Sequence, residues 1–194
     1  MSNPLKISIQ FYSYWHIGSG LTSGMDKDAI VRKDDKDLPF IPGRTIKGLL
    51  KDQLSLLTLA GIAIPEGFEQ AVFGEAQAEE KLAEVTAEKA GPKSATCHFA
   101  NATLPLAIAA AIPTAHRQHL YTRRSATKIG ANGLALDKSL RIKELTIPLY
   151  LEGAIYGFPN KADYRKTLER LCHLIKRLGV NRTRGLGRCT ISVL

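Results

Sequence analysis

Carboxylates are in short supply: 18 Asp and Glu stand against 27 Lys and Arg, leaving a net charge of +9. That balance excludes an acidic or neutral surface and points to a polyanionic partner. No run approaches the ~18 uninterrupted apolar residues of a spanning helix, so no membrane role is expected. A basic–apolar–small N-terminus of the secretory type is also missing, and a cytoplasmic protein is expected. Cysteine is scarce as well. Cys97, Cys172 and Cys189 make an odd count with no close pair. This argues against a disulfide framework or a zinc site and predicts reduced, buried thiols. Internal repeats and low-complexity linkers do not occur. What is present is a chain of 194 residues, 44% hydrophobic, enough for one domain with a proper core.

The charge is unevenly placed. Between residues 66 and 93 stand Glu66, Glu69, Glu75, Glu79, Glu80, Glu84 and Glu88, which predicts an acidic insertion, helical or flexible, facing away from the partner. Between 117 and 143 stand Arg117, Arg123, Arg124, Lys128, Lys138, Arg141 and Lys143, with Asp137 as the single acid. Residues 161–194 are again strongly basic. Such segregation favours an organised binding surface over general solubility charge.

Periodicity gives the order of elements. "LKISIQFYSYW" (5–15) alternates apolar and polar residues and reads as a strand, followed by a helix over 45–59. "ATCHFANATL" (95–104) reads as a short strand, and "IKELTIPLYLEGAIYGF" (142–158) as a long strand or hairpin. Asn160 is placed to cap a helix with Leu168, Leu171, Cys172, Ile175 and Leu178 on one face, ended by Gly179. "CTISVL" (189–194) closes as a strand. The resulting order is that of an α+β, ferredoxin-like sheet with two helices on one face.

Two basic, glycine-bearing segments carry the chemistry. In "PFIPGRTIKGLL" (39–50), Pro39 and Pro42 hold the chain extended, Gly43 permits a sharp bend, and a helix follows. Arg44 and Lys47 then fall in its first turn, where the macrodipole disfavours cations unless an anion is near. In "LGVNRTRGLGRC" (178–189), Arg182, Arg184 and Arg188 surround Gly185 and Gly187. Glycines allow close approach of a bulky partner, and guanidinium groups fork onto phosphates. A tight turn into the last strand accounts for the same glycines without any ligand.

Together these segments resemble the RAMP superfamily of type III CRISPR effector complexes. "LPFIPGRTIKGLLK" is similar to its Pro-Gly-Ser/Thr-Lys-Gly signature and "NRTRGLGRCTISVL" to its closing glycine-rich loop. "AVFGE", "CHFANATL" and "RRSATKIGANGLALDKSLRIKELTIPLYLEGAIYG" resemble the intervening Phe-Gly element, strand and thumb. Within the family the chain looks like the repeated guide-binding subunit of the Csm/Cmr kind. Asn101 departs from the family's pattern, standing where many members carry an acid.

The resemblance implies an RRM-like core with a β-hairpin thumb at 117–143, binding CRISPR RNA through its phosphates. It implies RNA contacts at Arg44, Thr45, Lys47 and Lys51, at Arg123, Arg124 and Lys128, and at Arg182, Arg184, Gly185, Gly187 and Arg188. We expect the turn at 42–48 and the loop at 182–188 to form one groove. Implied partners are complementary target RNA, other effector subunits and further copies of this chain in a filament.

The resemblance also implies metal-dependent target cleavage by an aspartate of "GMDKDAIVRKDDKDLP" (24–39). Asp28 is the first choice, as catalytic residue and ligand of Mg²⁺ or another divalent cation, and Asp26 the second. Asp34, Asp35 and Asp37 alternate with lysines and read as a solvated turn. His16 is weighed as a general base against a packing role, and Tyr14 and Trp15 as rim and core against base stacking. A non-cleaving RNA-binding scaffold is the alternative. A guide-processing endonuclease with two tandem sheets needs a longer chain, and a generic RRM needs an aromatic strand pattern that is missing.

Overall fold

A computed structural model of the chain describes residues 3–18, 29–74 and 97–194. A four-stranded antiparallel sheet contains β1 (Leu5–Phe11), β2 (His98–Phe99), β5 (Tyr150–Tyr156) and β6 (Cys189–Val193), in the spatial order β2-β5-β1-β6. Helices α1 (Gly43–Leu59) and α4 (Ala162–Leu174) cover one face. Two shorter helices, α2 (Phe68–Phe73) and α3 (Leu106–Ala111), flank β2 in sequence. A separate two-stranded sheet pairs β3 (Tyr121–Ala126) with β4 (Arg141–Thr146) as a hairpin inserted between β2 and β5. Without that hairpin, the chain order and strand order are those of the expected α+β, ferredoxin-like fold.

The core follows from the alternation. Ile7, Ile9 and Phe11 of β1, Leu151 and Ile155 of β5 and Ile191 of β6 point to the helices and are buried. Ile46, Leu50, Leu54 and Leu57 of α1 and Leu168, Leu171 and Cys172 of α4 meet them at helical spacing. The opposite sheet face bears Lys6, Gln10, Glu152 and Thr190 and no arginine, so the sheet itself is not the basic surface.

Several boundaries differ from the periodic reading. The strand expected over 5–15 stops at Phe11 because the chain bends at Tyr12–Ser13, and Trp15 bridges to Thr146 instead. The stretch 142–158 splits into β4 and β5 of different sheets; Pro148, with no N–H to donate, stands in the break. Lys161 rather than Asn160 is the N-cap of α4, which ends at Leu174, while Ile175 and Leu178 stay buried beyond it in extended chain. The first part of the acidic stretch is core: Phe68, Val72 and Phe73 bury one side of α2, and Phe68 packs edge-on against Tyr164 at 5.3 Å. Residues 75–93 of that expected insertion lie outside the described residues.

Candidate nucleic-acid interface

The arginine loop is fastened to the segment that follows β1. Gly187 N–H donates to the Tyr14 carbonyl (2.8 Å), Val180 N–H to His16 (3.0 Å), and Tyr12 N–H to Arg188 (2.9 Å). Arg188 N–H donates to the Ser13 hydroxyl at 2.9 Å. This seam is too tight for side chains. A Cβ on Gly187 (φ +71°) would lie 1.9 Å from the Leu178 carbonyl oxygen, and one on Gly179 (φ +97°) 2.4 Å from that of His16. Gly187 is thus a packing requirement, whereas Gly185 (φ +82°) borders open space at the loop's outer end. Arg182, Arg184 and Arg188 are all exposed, the first and second on a 3₁₀ turn whose Arg182 carbonyl accepts from Arg177.

The other side of the same segment holds the hairpin. Trp15 and Thr146 exchange backbone hydrogen bonds of 3.0 and 2.8 Å, and the Trp15 indole donates to the Ile147 carbonyl at 2.9 Å. His16 is 3% exposed and its Nδ1–H donates to the Glu144 carbonyl at 2.7 Å. It is a packed residue joining two segments, not a surface base. Trp15 stacks on Phe11 with centroids 4.5 Å apart and is fully buried, whereas Tyr14 is 46% exposed. Residues 12–16 are therefore a spine between two basic elements, and Arg123, Arg124 and Lys128 project from the hairpin side.

At the hairpin root the buried Glu144 carboxylate accepts from Val31 N–H (3.2 Å) and from Lys33 Nζ (3.3 Å). Lys33 also lies 3.9 Å over the Tyr121 ring, whose hydroxyl donates to the Asp37 carbonyl at 2.7 Å. Burial, and the carboxylates of Glu144, Asp34 and Asp37, push the Tyr121 phenol well above its ordinary range, so it stays a donor. Asp34 is occupied by the backbone of its own turn, accepting from Lys36 and Leu38 N–H at 2.9 and 2.8 Å. The reading of 34–37 as a turn holds.

The first turn of α1 is built differently. Gly43 is its first helical residue, not a bend, and it lies so close to β2 that a Cβ would sit 1.9 Å from the Phe99 carbonyl oxygen. Asn101 Oδ1 accepts from Gly43 N–H at 3.0 Å, satisfying one of the donors a helix start leaves open. An acid there would place a formal charge on that contact; asparagine makes it neutrally. Arg44 is exposed and Thr45, Lys47 and Lys51 are half-buried, with no acidic residue in the turn.

These two cationic sites do not form one groove. Phe99 pairs with Ile155, which pairs with Leu5, whereas Cys189, next to the arginine loop, pairs with Phe11. Along the ladder that is six residues and three strand spacings, roughly 24 Å on the diagonal. The structure instead unites the arginine loop with the hairpin, a neighbourhood that sequence order conceals.

Asp26 and Asp28 lie outside the described residues, but the chain immediately after them does not. Ala29 bridges to Lys143, and Glu144 N–H donates to its carbonyl at 3.1 Å, so the end of the aspartate loop is docked on β4. Among the described residues no group of three His, Cys, Asp or Glu side chains is placed to hold a metal, and no described helix is long and apolar enough to cross a membrane. The three cysteines are free and buried; burial pushes the Cys172 thiol up to about 12 and that of Cys189 to about 11, so both are unreactive. His116 and His119 are exposed just before the hairpin. Tyr12, 55% exposed with the Arg188 guanidinium 5.7 Å from its ring centre, is the residue that sequence reasoning passed over. Its signal was its place just past the apolar–polar alternation of β1, on the side opposite the buried Phe11.

Comparison with known proteins gives one family and one fold. The family model of the RAMP superfamily matches residues 8–190. No curated protein matches the sequence. The cryo-EM structure of the Type III-B Cmr-beta bound to cognate target RNA contains a chain similar to this one, with a TM-score of 0.66 at 12% identity, covering 99% of this chain and 97% of that one. The apo state of Type III-B Cmr-beta gives a TM-score of 0.64 at 13% identity, over 98% and 97% of the two chains.

Proposed function

This chain belongs to the RAMP superfamily, and from that premise we propose that it is a guide-RNA-binding backbone subunit of a type III CRISPR interference complex. The observation that carries the reading is the arginine loop. Arg182, Arg184 and Arg188 are held outward on a backbone that two close-packed glycines pin to residues 12–16, beside a second cluster of cations on the hairpin. Exposed guanidinium groups on a pinned backbone, with no carboxylate partner among the described residues, suit the phosphates of a single strand. The fold likeness to a chain of a Cmr complex bound to target RNA supports the same assignment.

The proposal extends to cleavage of complementary RNA at regular intervals, with Asp28, and Asp26 as its substitute, at the scissile site. The attacking group is the RNA's own 2′-hydroxyl, so this chain's task is to hold the strand bent and in line. A carboxylate at Asp28 is chemically suited to Mg²⁺, which when bound would offset charge on the departing oxygen. Ala29, the residue that follows Asp28 in the chain, bridges to Lys143 of β4, and this supports the reading. Other effector subunits and further copies of this chain are the proposed protein partners. Ile129, Leu134, Leu136 and Leu140 on the hairpin loop and Leu106 on α3 are apolar and exposed, as surfaces awaiting a neighbour are. The cytoplasm is the proposed location, in keeping with three free thiols.

The test mixes the purified complex with guide and complementary RNA, with Mg²⁺ or EDTA. Metal-dependent fragments at regular spacing, lost in Asp28→Ala with guide and target still bound, are the expected result. Binding without fragments assigns the scaffold role instead. Cutting by the Asp26→Ala/Asp28→Ala double variant removes both carboxylates from the mechanism.

A further inference from the structure

We propose that Tyr12 is a stacking platform for one base of the bound strand, mounted between the arginine loop and the hairpin; this rests on the RNA-binding reading above. The reasoning starts from what Tyr12 does not do. Its neighbours Phe11 and Trp15 stack on each other and are fully buried, so they carry the packing at this end of β1. Tyr12 lies at the bend that follows, 55% exposed, contributing its side chain neither to the buried core nor to the seam. A tyrosine ring left in water needs no explanation when it is isolated and free to move. This one is neither.

Its backbone is clamped. Tyr12 N–H donates to the Arg188 carbonyl, Ser13 Oγ accepts from Arg188 N–H, and the Tyr14 carbonyl accepts from Gly187 N–H, each at 2.8–2.9 Å. The glycine that a Cβ would push away from Leu178 is what lets this seam close. On this clamped backbone the ring has the Arg188 guanidinium to one side, at 5.7 Å, a cation–π arrangement. The rest of its exposed surface lies beside the loop that carries the exposed Arg182, Arg184 and Arg188, and across residues 12–16 from the hairpin that bears Arg123 and Arg124. A strand whose phosphates engage those arginines presents its bases within reach of an aromatic surface that is already held in place. Tyr14, 46% exposed, has no such cation over it among the described residues, so the platform is assigned to Tyr12.

Stacking and charge leave different fingerprints. Base–aromatic stacking contributes about 1–3 kcal/mol per base and releases no counterions, so its loss lowers affinity at every salt concentration alike. The experiment measures binding of the full chain to a labelled single-stranded RNA by fluorescence anisotropy across a salt series. It uses Tyr12→Ala and Tyr12→Phe, and repeats with an abasic site walked along the RNA. Tyr12→Ala should weaken binding roughly tenfold with the salt slope unchanged, and Tyr12→Phe should bind as wild type. At one position the abasic substitution should weaken wild type by the same factor and Tyr12→Ala no further, because each removes one half of the same contact. The platform is overturned if Tyr12→Ala binds as tightly as wild type, if its salt slope falls, or if its loss adds to that of every abasic position. Wild-type protein that binds no RNA sinks the function reading, and the platform with it.

Discussion

Gly43→Ala sets two physical rules against each other. Helix propensity alone favours alanine over glycine inside a helix by about 1 kcal/mol. Space decides otherwise. The new Cβ would stand 1.9 Å from the Phe99 carbonyl oxygen and 2.9 Å from that of Ala100, where ordinary contact begins at 3.4 Å. The obstacle is backbone, and Ala100 is itself held to Ala154 by a 2.9 Å hydrogen bond, so β2 cannot yield. The start of α1 must retreat by the shortfall, 3.4 − 1.9 = 1.5 Å. A retreat of that size breaks the Gly43–Asn101 hydrogen bond and the reciprocal pair between Ile41 and Ala102, about 1 kcal/mol each. Three such losses less the propensity gain leave a net destabilisation of about 2 kcal/mol, or more if Ile46 is drawn from the core with the turn. For a domain of this size that lowers the melting temperature by about 4–8 °C. Thermal unfolding followed by circular dichroism reads it directly, with Asn101→Ala, which removes one hydrogen bond and no space, expected to cost about 1 kcal/mol. A Gly43→Ala protein that melts at or above the wild-type temperature would refute the steric argument.

Two further perturbations separate charge from packing. Neutralising Arg44, Lys47 and Arg184 together should weaken RNA binding and flatten the plot of log affinity against log salt by up to about two units, since each lost single-strand phosphate contact removes about 0.7; an unchanged slope would take those residues out of the interface. Cys172 should make stability fall at alkaline pH. Its folded pKa, about 12, lies above the ordinary 9.0, so its contribution is whole below pH 9 and is lost as pH rises towards 12, at about 1.4 kcal/mol per unit. Urea midpoints at pH 8 and pH 10.5 should therefore diverge less in Cys172→Ala than in wild type, and parallel declines would dismiss the thiol as the cause.

Elements that carry their own periodicity were legible in the sequence. The alternation of Ile7, Ile9 and Phe11 and the helical spacing of Ile46, Leu50 and Leu54 decide their partners locally, so the start of β1 and nearly all of α1 were read correctly, although the strand was carried four residues past Phe11. Boundaries set by a neighbour were not. The split at Pro148 depends on β4 and β5 choosing different sheets, and the end of α4 at Leu174 on extended chain that still buries Ile175 and Leu178. Glutamate content misled at 66–74, where three apolar side chains outweigh the charges. The cationic residues of the interface were visible by composition, but their grouping was not. Arg44 and Arg184 share a chemistry, and a sheet stands between them, whereas the hairpin and the arginine loop meet only because residues 12–16 hydrogen-bond to both.

That spine has a consequence for how the molecule comes into being. Its contacts reach across 128 positions at His16–Glu144, 132 at Trp15–Ile147 and 175 at Ser13–Arg188. Helices α1 and α4 and the β3–β4 hairpin need only near neighbours and can form early, whereas the spine's seams must await closure of nearly the longest loops the chain contains. The surface bearing Tyr12 and the arginines is therefore among the last parts to become native. A trapped, partly folded subunit would show helical circular dichroism and an expanded body yet offer no ordered mount for an RNA strand. Under the proposed function, RNA binding would therefore report closure of the chain's most distant segments, which the circular dichroism of the helices does not.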